Sequence, residues 1–435
     1  MIPLAYRRSL ILAALTVALL GAVAYDTLWM QSYTYLQLPL AGLIACTLGV
    51  ALLVQRYPIG RLRSAFLSAW PLHLFTASFV GVCFVIQFGK KLDQVVIYSV
   101  FAYVLYFVIP FLFLLDIEVF KRYVKVVAVL SALLALPSIV GATGQDSLFG
   151  IPLRNKTSYS NWSGIIASAG VFEHAEGHAF QMALGLVCCM YLVRKYPGKT
   201  YFFWMFLAGL GLLISQGRAA IYGLGVAVFF QFAPVIFRYS RPIFFVTLTF
   251  LLTAPYAILD QLAEIPGLAS YMRVERGLSG REEAWSFAIT VIRENPWRGH
   301  GFMASTELTE EEQKTLRKSG FSGAGTTFHN TFITKAVDMG VGVTCLYALL
   351  YLVPLWRLCR KSAFPLEQDF VRNMALLILT ASLYRDYNIG GVRSTAMLAA
   401  IFLGLGMLWP LIESWRTSPT DEVTVPLPQS SVHAT

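Results

Sequence analysis

The sequence predicts an all-α, polytopic membrane protein of about twelve transmembrane helices, with a large helical loop on its outer side. Three observations predict it. Of 435 residues, 57% are hydrophobic and only 13% charged, where a soluble domain averages about 25% charged. Apolar runs of about 18 residues or more recur along the chain, enough to cross a ~30 Å hydrocarbon layer. Lys and Arg gather on alternate connections, as they do in inner-membrane proteins. Backbone polar groups in lipid must be paired within their own segment, so the spans are helices.

Taken in order, Met1–Arg8 leads into the first apolar run without a small-residue cleavage site, so no cleaved signal peptide is expected. Spans are expected near 10–27, 36–54, 69–88, 95–115, 124–141, 175–193, 201–215, 219–237, 243–259, 331–356, 371–388 and 394–412. With the N-terminus inside, the inner segments hold 18 of the 34 Lys and Arg, and the short outer loops hold only Lys90, Lys91, Arg218, Arg385 and Arg393. The others lie in or beside two long outer loops, 142–174 and 260–330, and long loops are exempt from the charge rule. Both termini are therefore expected in the cytoplasm. The net charge of +10 reads as a topology signal, with no nucleic-acid partner expected. Residues 1–416 form one transmembrane domain in this reading. The Pro/Ser/Thr-rich tail 417–435 is expected to be a disordered cytoplasmic segment. None of the six cysteines lies in an outer loop, and the adjacent Cys188 and Cys189 lack CxxC spacing, so neither a disulfide nor a zinc site is expected.

Four separate segments bring polar groups to the outer side. Ser215-Gln216-Gly217-Arg218 turns one span into the next; the arginine reads equally as an interfacial group reaching for headgroups. In the loop 260–330, Gly280-Arg281 leads into a helix expected from Glu282 up to Pro296, with Ala284, Trp285, Ala288, Ile289 and Ile292 assigned to one face. Arg281 at that helix start suits an anion; the alternative is a solvated ion pair with Glu282 or Glu283. His300 falls in the Pro/Gly turn Asn295–Phe302, where histidine is more often structural. Phe328-His329-Asn330 closes the loop, and a histidine there suits a general base; the alternative is a helix-entry histidine bonded to backbone. His174 and His178 are four apart with Glu173 and Glu176 beside them, but no third ligand is evident and no metal site is expected. A substrate-facing helix start is the preferred reading for His174. Arg385 and Asp386 close the eleventh span and are expected to pair with each other or with a neighbouring helix.

The order of these motifs, S-x-G-R, then G-R-x-x-x-W and NPWRGHGF, then HN and DMGVGV, resembles the O-antigen ligase family, within the wider group of O-antigen ligases and polymerases. The resemblance covers about residues 160–410. It implies a bacterial inner-membrane glycosyltransferase with a periplasmic active site. Such an enzyme moves a glycan from undecaprenyl pyrophosphate to a sugar hydroxyl of lipid A-core, in lipopolysaccharide biosynthesis, without a metal, cofactor or nucleotide sugar. It also implies site residues: Arg218 and Arg281 for the pyrophosphate, His329 as general base, and Asp386 at the late "RD" position. Arg385, Asn330 and His174 stand beside them as candidate substrate contacts. Gln216 departs from the family's more usual "SR" pairing.

Elementary chemistry agrees with this assignment. The leaving pyrophosphate is a polyanion, which guanidinium groups bind bidentately without losing charge. The acceptor hydroxyl must lose a proton as it attacks, and direct displacement inverts the anomeric centre. Other readings stay open: an O-antigen polymerase or a protein O-oligosaccharyltransferase using the same donor, or a transporter. A transporter places polar groups near the midplane in repeated halves, whereas here they gather at one edge and no repeat is visible.

Overall fold

In a computed structural model of the chain, the described residues are 4–26, 59–87, 91–153, 155–156, 166–232, 240–263, 281–308, 328–360, 362, 364–385 and 393–417. The first helices are α1 (Leu4–Asp26), α2 (Ile59–Ser68), which precedes the expected span 69–88 and carries Arg61 and Arg63 of the expected inner loop, α3 (Trp70–Gln87), α4 (Leu92–Tyr103), a π-helical turn (Val104–Val108), α5 (Ile109–Leu115) and α6 (Ile117–Ala142). After the first long loop come α7 (Ala175–Lys195), α8 (Lys199–Ser215), α9 (Arg218–Phe232), α10 (Arg241–Ala263), α11 (Arg281–Glu294), α12 (Thr331–Leu358), α13 (Pro365–Tyr384) and α14 (Ser394–Thr417). Over their described residues the other expected spans fall on helices, while 36–54 and the ends 27, 88, 233–237 and 386–388 lie outside the described residues. Among the described residues, six helices are long and apolar enough to cross a membrane alone, and a seventh span is made if the pair Gly60–Ser68 and Trp70–Ile86, bent by 63°, counts as one. The protein is thus a multi-pass helical membrane protein.

Two features differ from the sequence reading. The loop 142–174 carries two short antiparallel hairpins, β1 (Ser147–Leu148) with β2 (Ile151–Pro152) and β3 (Asn155–Lys156) with β4 (Ala167–Ser168). Two-residue strands are too short to leave a periodic signature. The second difference is α13. It begins at Pro365 rather than 371, and the charged residues of its first turns are buried and paired inside the bundle. Glu367 meets Lys195 at 2.6 Å, Asp369 meets Arg372 at 2.8 Å, and Asn373 donates to Gln231 at 3.0 Å. Charged side chains are almost never buried unless paired. From Glu367 to Ser382, α13 is buried along its whole length. Cys83, Cys188, Cys189, Cys345 and Cys359 are free thiols, and Cys46 lies outside the described residues.

Ion pairs and caps sort the helix termini into two ends. At one end, Arg8 near the start of α1 meets Asp116, the N-cap of α6, at 2.5 Å, and the end of α7 meets the start of α13 through Lys195 and Glu367. At the other end, Asp26 closes α1 and caps α14, accepting from Ser394 N at 2.8 Å and Ser394 Oγ at 2.6 Å. The Asp26 carbonyl also accepts from Glu173 N at 3.2 Å, just before α7 begins. The starts of α7 and α14 therefore lie at the same end as the finish of α1. This is the end that carries the candidate site.

Candidate functional site

The corner that opens α12 is fixed from three sides. Asn330 is its N-cap, and its side-chain oxygen accepts from Phe332 N at 2.9 Å and Ile333 N at 3.1 Å. The same side chain donates through Nδ2 to Leu383 O at 2.9 Å, and Thr331 Oγ1 donates to Arg385 O at 2.8 Å. The start of α12 is thereby bolted to the end of α13. From the loop side, Trp285 Nε1 donates to Phe328 O at 2.7 Å. Between these clamps His329 is half-buried and sits at φ 51°. The left-handed region costs a non-glycine residue about 1 kcal/mol, and residues held there cluster at functional sites.

Helix α11 lies against this corner because its apolar face is buried. Ala288 and Val291 pack with Phe328 and Val337, and Ala284, Phe287 and Ile292 flank them. Ile289, assigned to the same face in the sequence reading, is 46% exposed. At 3.6 residues per turn it falls about 140° round from Ala284, so the buried stripe runs through 284, 287, 288, 291 and 292 instead. Arg281 is the first residue of α11, about one turn, or ~6 Å along the axis, before Trp285. The side chain of Arg281 lies outside the described residues.

The turn after α11 is tied to a break in α12. At Gly340 (φ 77°, ψ 168°) the helix leaves helical geometry, which frees backbone groups on either side. The turn supplies their partners: His300 N donates to Val337 O and Gly301 N to Asp338 O, both at 2.8 Å, and Val341 N donates to Pro296 O at 2.7 Å. The approach is backbone to backbone. A Cβ on Gly340 would stand 2.4 Å from Trp297 O, and one on Gly299 would stand 2.5 Å from Gly340 N. The NPWRGHGF and DMGVGV motifs are thus the two halves of one joint. Beside it, Asp338 Oδ1 accepts from Ser305 N at 2.8 Å, and the buried Lys335 lies 3.8 Å from Asp338 with its ammonium 5.4 Å over the Tyr98 ring. His300 Nε2 lies 3.0 Å from Val291 O, a structural contact.

The Arg218 turn meets the same corner through α7. Gln216, not Gly217, takes the left-handed conformation that ends α8 (φ 51°). Gly217 serves close approach: a Cβ there would lie 2.2 Å from Ala179 Cβ and 3.7 Å from Glu176 Cα. Arg218 then opens α9 beside the first turn of α7. Glu176, in that turn, is ion-paired with the Arg385 guanidinium. Arg385 in turn accepts from Thr331 through its carbonyl. Contacts therefore run unbroken from the Arg218 turn through Glu176 and Arg385 to the residues flanking His329, and through Phe328 to α11. His174, the N-cap residue of α7, is half-exposed and 3.2 Å from Glu173, which approaches Arg393 at 3.8 Å. His178 is fully buried, with Nε2 3.2 Å from Leu134 O and its ring edge-on to Phe172. Asp386 lies outside the described residues.

Several partners were not singled out in the sequence. Glu176 was visible only as a neighbour of two histidines, and its pairing with Arg385 crosses 209 positions. Trp285 carried a helical signal but its indole bond did not.

Residues 203–348 match a family model described as O-antigen ligase. The matched segment includes Arg218, Arg281, His329, Asn330 and both halves of the Gly299–Gly340 joint, while Glu176 and Arg385 fall on either side of it. A search of the curated proteins returns no match.

Proposed function

We propose, from an O-antigen ligase family segment within a multi-pass membrane protein, that this chain transfers O-antigen polysaccharide from undecaprenyl pyrophosphate to a sugar hydroxyl of lipid A-core. The observation that carries the reading is the continuous set of contacts joining the Arg218 turn, Arg385, the His329 corner and the helix that Arg281 begins. Arginines at the starts of α9 and α11 combine side-chain charge with the positive ends of their helices. A donor pyrophosphate is the polyanion such an arrangement favours.

In this reading Arg218 and Arg281 bind the diphosphate and stabilise the charge that grows on it as the glycosidic bond breaks, the largest contribution in many enzymes. The acceptor hydroxyl attacks the anomeric carbon from the opposite side, and His329 takes its proton. One displacement inverts the sugar. Arg385 is a further contact to the diphosphate. Asn330 acts as a positioning residue, since both ends of its amide are engaged in the cap and the bond to Leu383. His174 and Asp386 are the remaining substrate contacts in this reading. The site faces the periplasm of a bacterial inner membrane, with both termini in the cytoplasm and residues 1–416 acting as one domain. The alternation of basic residues along the sequence supports that orientation.

Deletion of the gene followed by a lipopolysaccharide gel tests the reading. Loss of the long-chain ladder, with polymer accumulating on the lipid carrier, is the expected result. A core bearing a single repeat unit identifies a polymerase using the same donor instead. An unchanged profile contradicts both.

A further inference from the structure

We propose that Glu176 is an exchangeable counter-ion for Arg385: it holds the guanidinium in place in the empty site and yields it to the donor diphosphate on binding. The inference rests on the glycan-transfer reading and adds a residue to it. Three observations carry it.

The pair is asymmetric. The Arg385 side chain is 14% exposed and the Glu176 side chain 40% exposed, so an arriving solute reaches the carboxylate first. Arg385 is also anchored through its own backbone, which accepts from Thr331 Oγ1 at 2.8 Å beside the His329 corner. The arginine is the fixed partner and the glutamate the replaceable one. Second, Glu176 lies between two cationic segments: its Cα is 3.7 Å from where a Gly217 side chain would begin, immediately before Arg218. A negative charge there neutralises the very groups that a diphosphate needs. Third, Glu176 stands in the first turn of α7, where the positive helix end favours a carboxylate by itself. Giving up Arg385 does not strand it.

Phosphate oxygens accept two parallel bonds from one guanidinium, and a diphosphate carries more charge than a carboxylate. The exchange moves no covalent bond: Glu176 turns away with its charge intact, and the diphosphate occupies the freed guanidinium.

Steady-state kinetics of purified Glu176→Gln with lipid-linked donor and lipid A-core acceptor test the proposal. Removing the competing charge is expected to lower the donor KM about two- to fivefold, the size of a half-exposed ion pair, with kcat changing less than KM. Inorganic pyrophosphate, used as a competitive inhibitor, is expected to tighten by a similar factor. Glu176→Asp restores the wild-type KM, and the effect vanishes in an Arg385→Gln background. A donor KM that is unchanged or raised in Glu176→Gln overturns the proposal, as does a variant that no longer purifies as folded protein, which makes the pair a structural brace. His329→Asn separates the two levels of argument: full turnover in that variant contradicts the transfer reading itself, whereas lost turnover with an unaltered Glu176→Gln KM contradicts only the counter-ion exchange.

Discussion

Purified His329→Asn protein is expected to lose glycan transfer by at least about a hundredfold, the lower range for a general base. Asparagine is the informative substitution. His329 holds φ 51°, and asparagine tolerates left-handed geometry better than other residues, so the imidazole is removed without disturbing the backbone. His329→Ala removes the imidazole and adds backbone strain. A comparable loss in both variants assigns the effect to the proton acceptor; a loss in alanine alone assigns it to the corner's geometry. Arg218→Ala and Arg281→Ala are each expected to lower turnover by about 10²–10³, the range for one removed donor at a developing charge. Circular dichroism and size-exclusion profiles of all four should match wild type. Near-normal turnover in the His329 or Arg281 variants ends their catalytic assignment.

Gly340→Ala is expected to be the most damaging substitution outside the charged groups. Its φ of 77° and ψ of 168° lie in a region essentially restricted to glycine. A side chain there also meets Trp297 O at 2.4 Å and Arg298 N at 2.9 Å, both backbone atoms. Backbone strain and overpacking together cost about 2–5 kcal/mol, enough to release the 295–301 turn from α12. The loss should appear as a clear fall in thermal midpoint together with lost transfer, because the turn and α11 share one connection to the His329 corner. Gly342→Ala is the control. Only two positions away, a Cβ at Gly342 meets nothing within 4 Å, and its midpoint should stay close to wild type. Equal behaviour of the two variants contradicts the joint.

Much of this architecture is legible in the chain because lipid leaves few options. Apolar runs must become helices, and the expected spans fall on helices wherever the structure is described. The candidate site is legible for a related reason: charged groups at the ends of apolar runs are costly and therefore conspicuous. What was hidden depends on long-range pairing. The start of α13 lies before the apolar run, because Glu367 and Asp369 look solvated until Lys195 and Arg372 are placed beside them. The break at Gly340 is silent in the sequence, since its released carbonyls are satisfied by a turn about 40 residues earlier. Gly217 read as a turn residue, yet the turn is made by Gln216 and the glycine is needed for Ala179. Each concerns a backbone or side chain whose partner lies on another element.

The central claim is that arginines from distant segments hold one diphosphate beside His329. A structure of the protein in lipid nanodiscs with undecaprenyl pyrophosphate tests it most directly. The account predicts the diphosphate within hydrogen-bonding reach of the Arg218 and Arg281 guanidinium groups, with the His329 imidazole facing the space where an acceptor hydroxyl attacks. A diphosphate bound elsewhere, or guanidinium groups too far apart to share it, would contradict it.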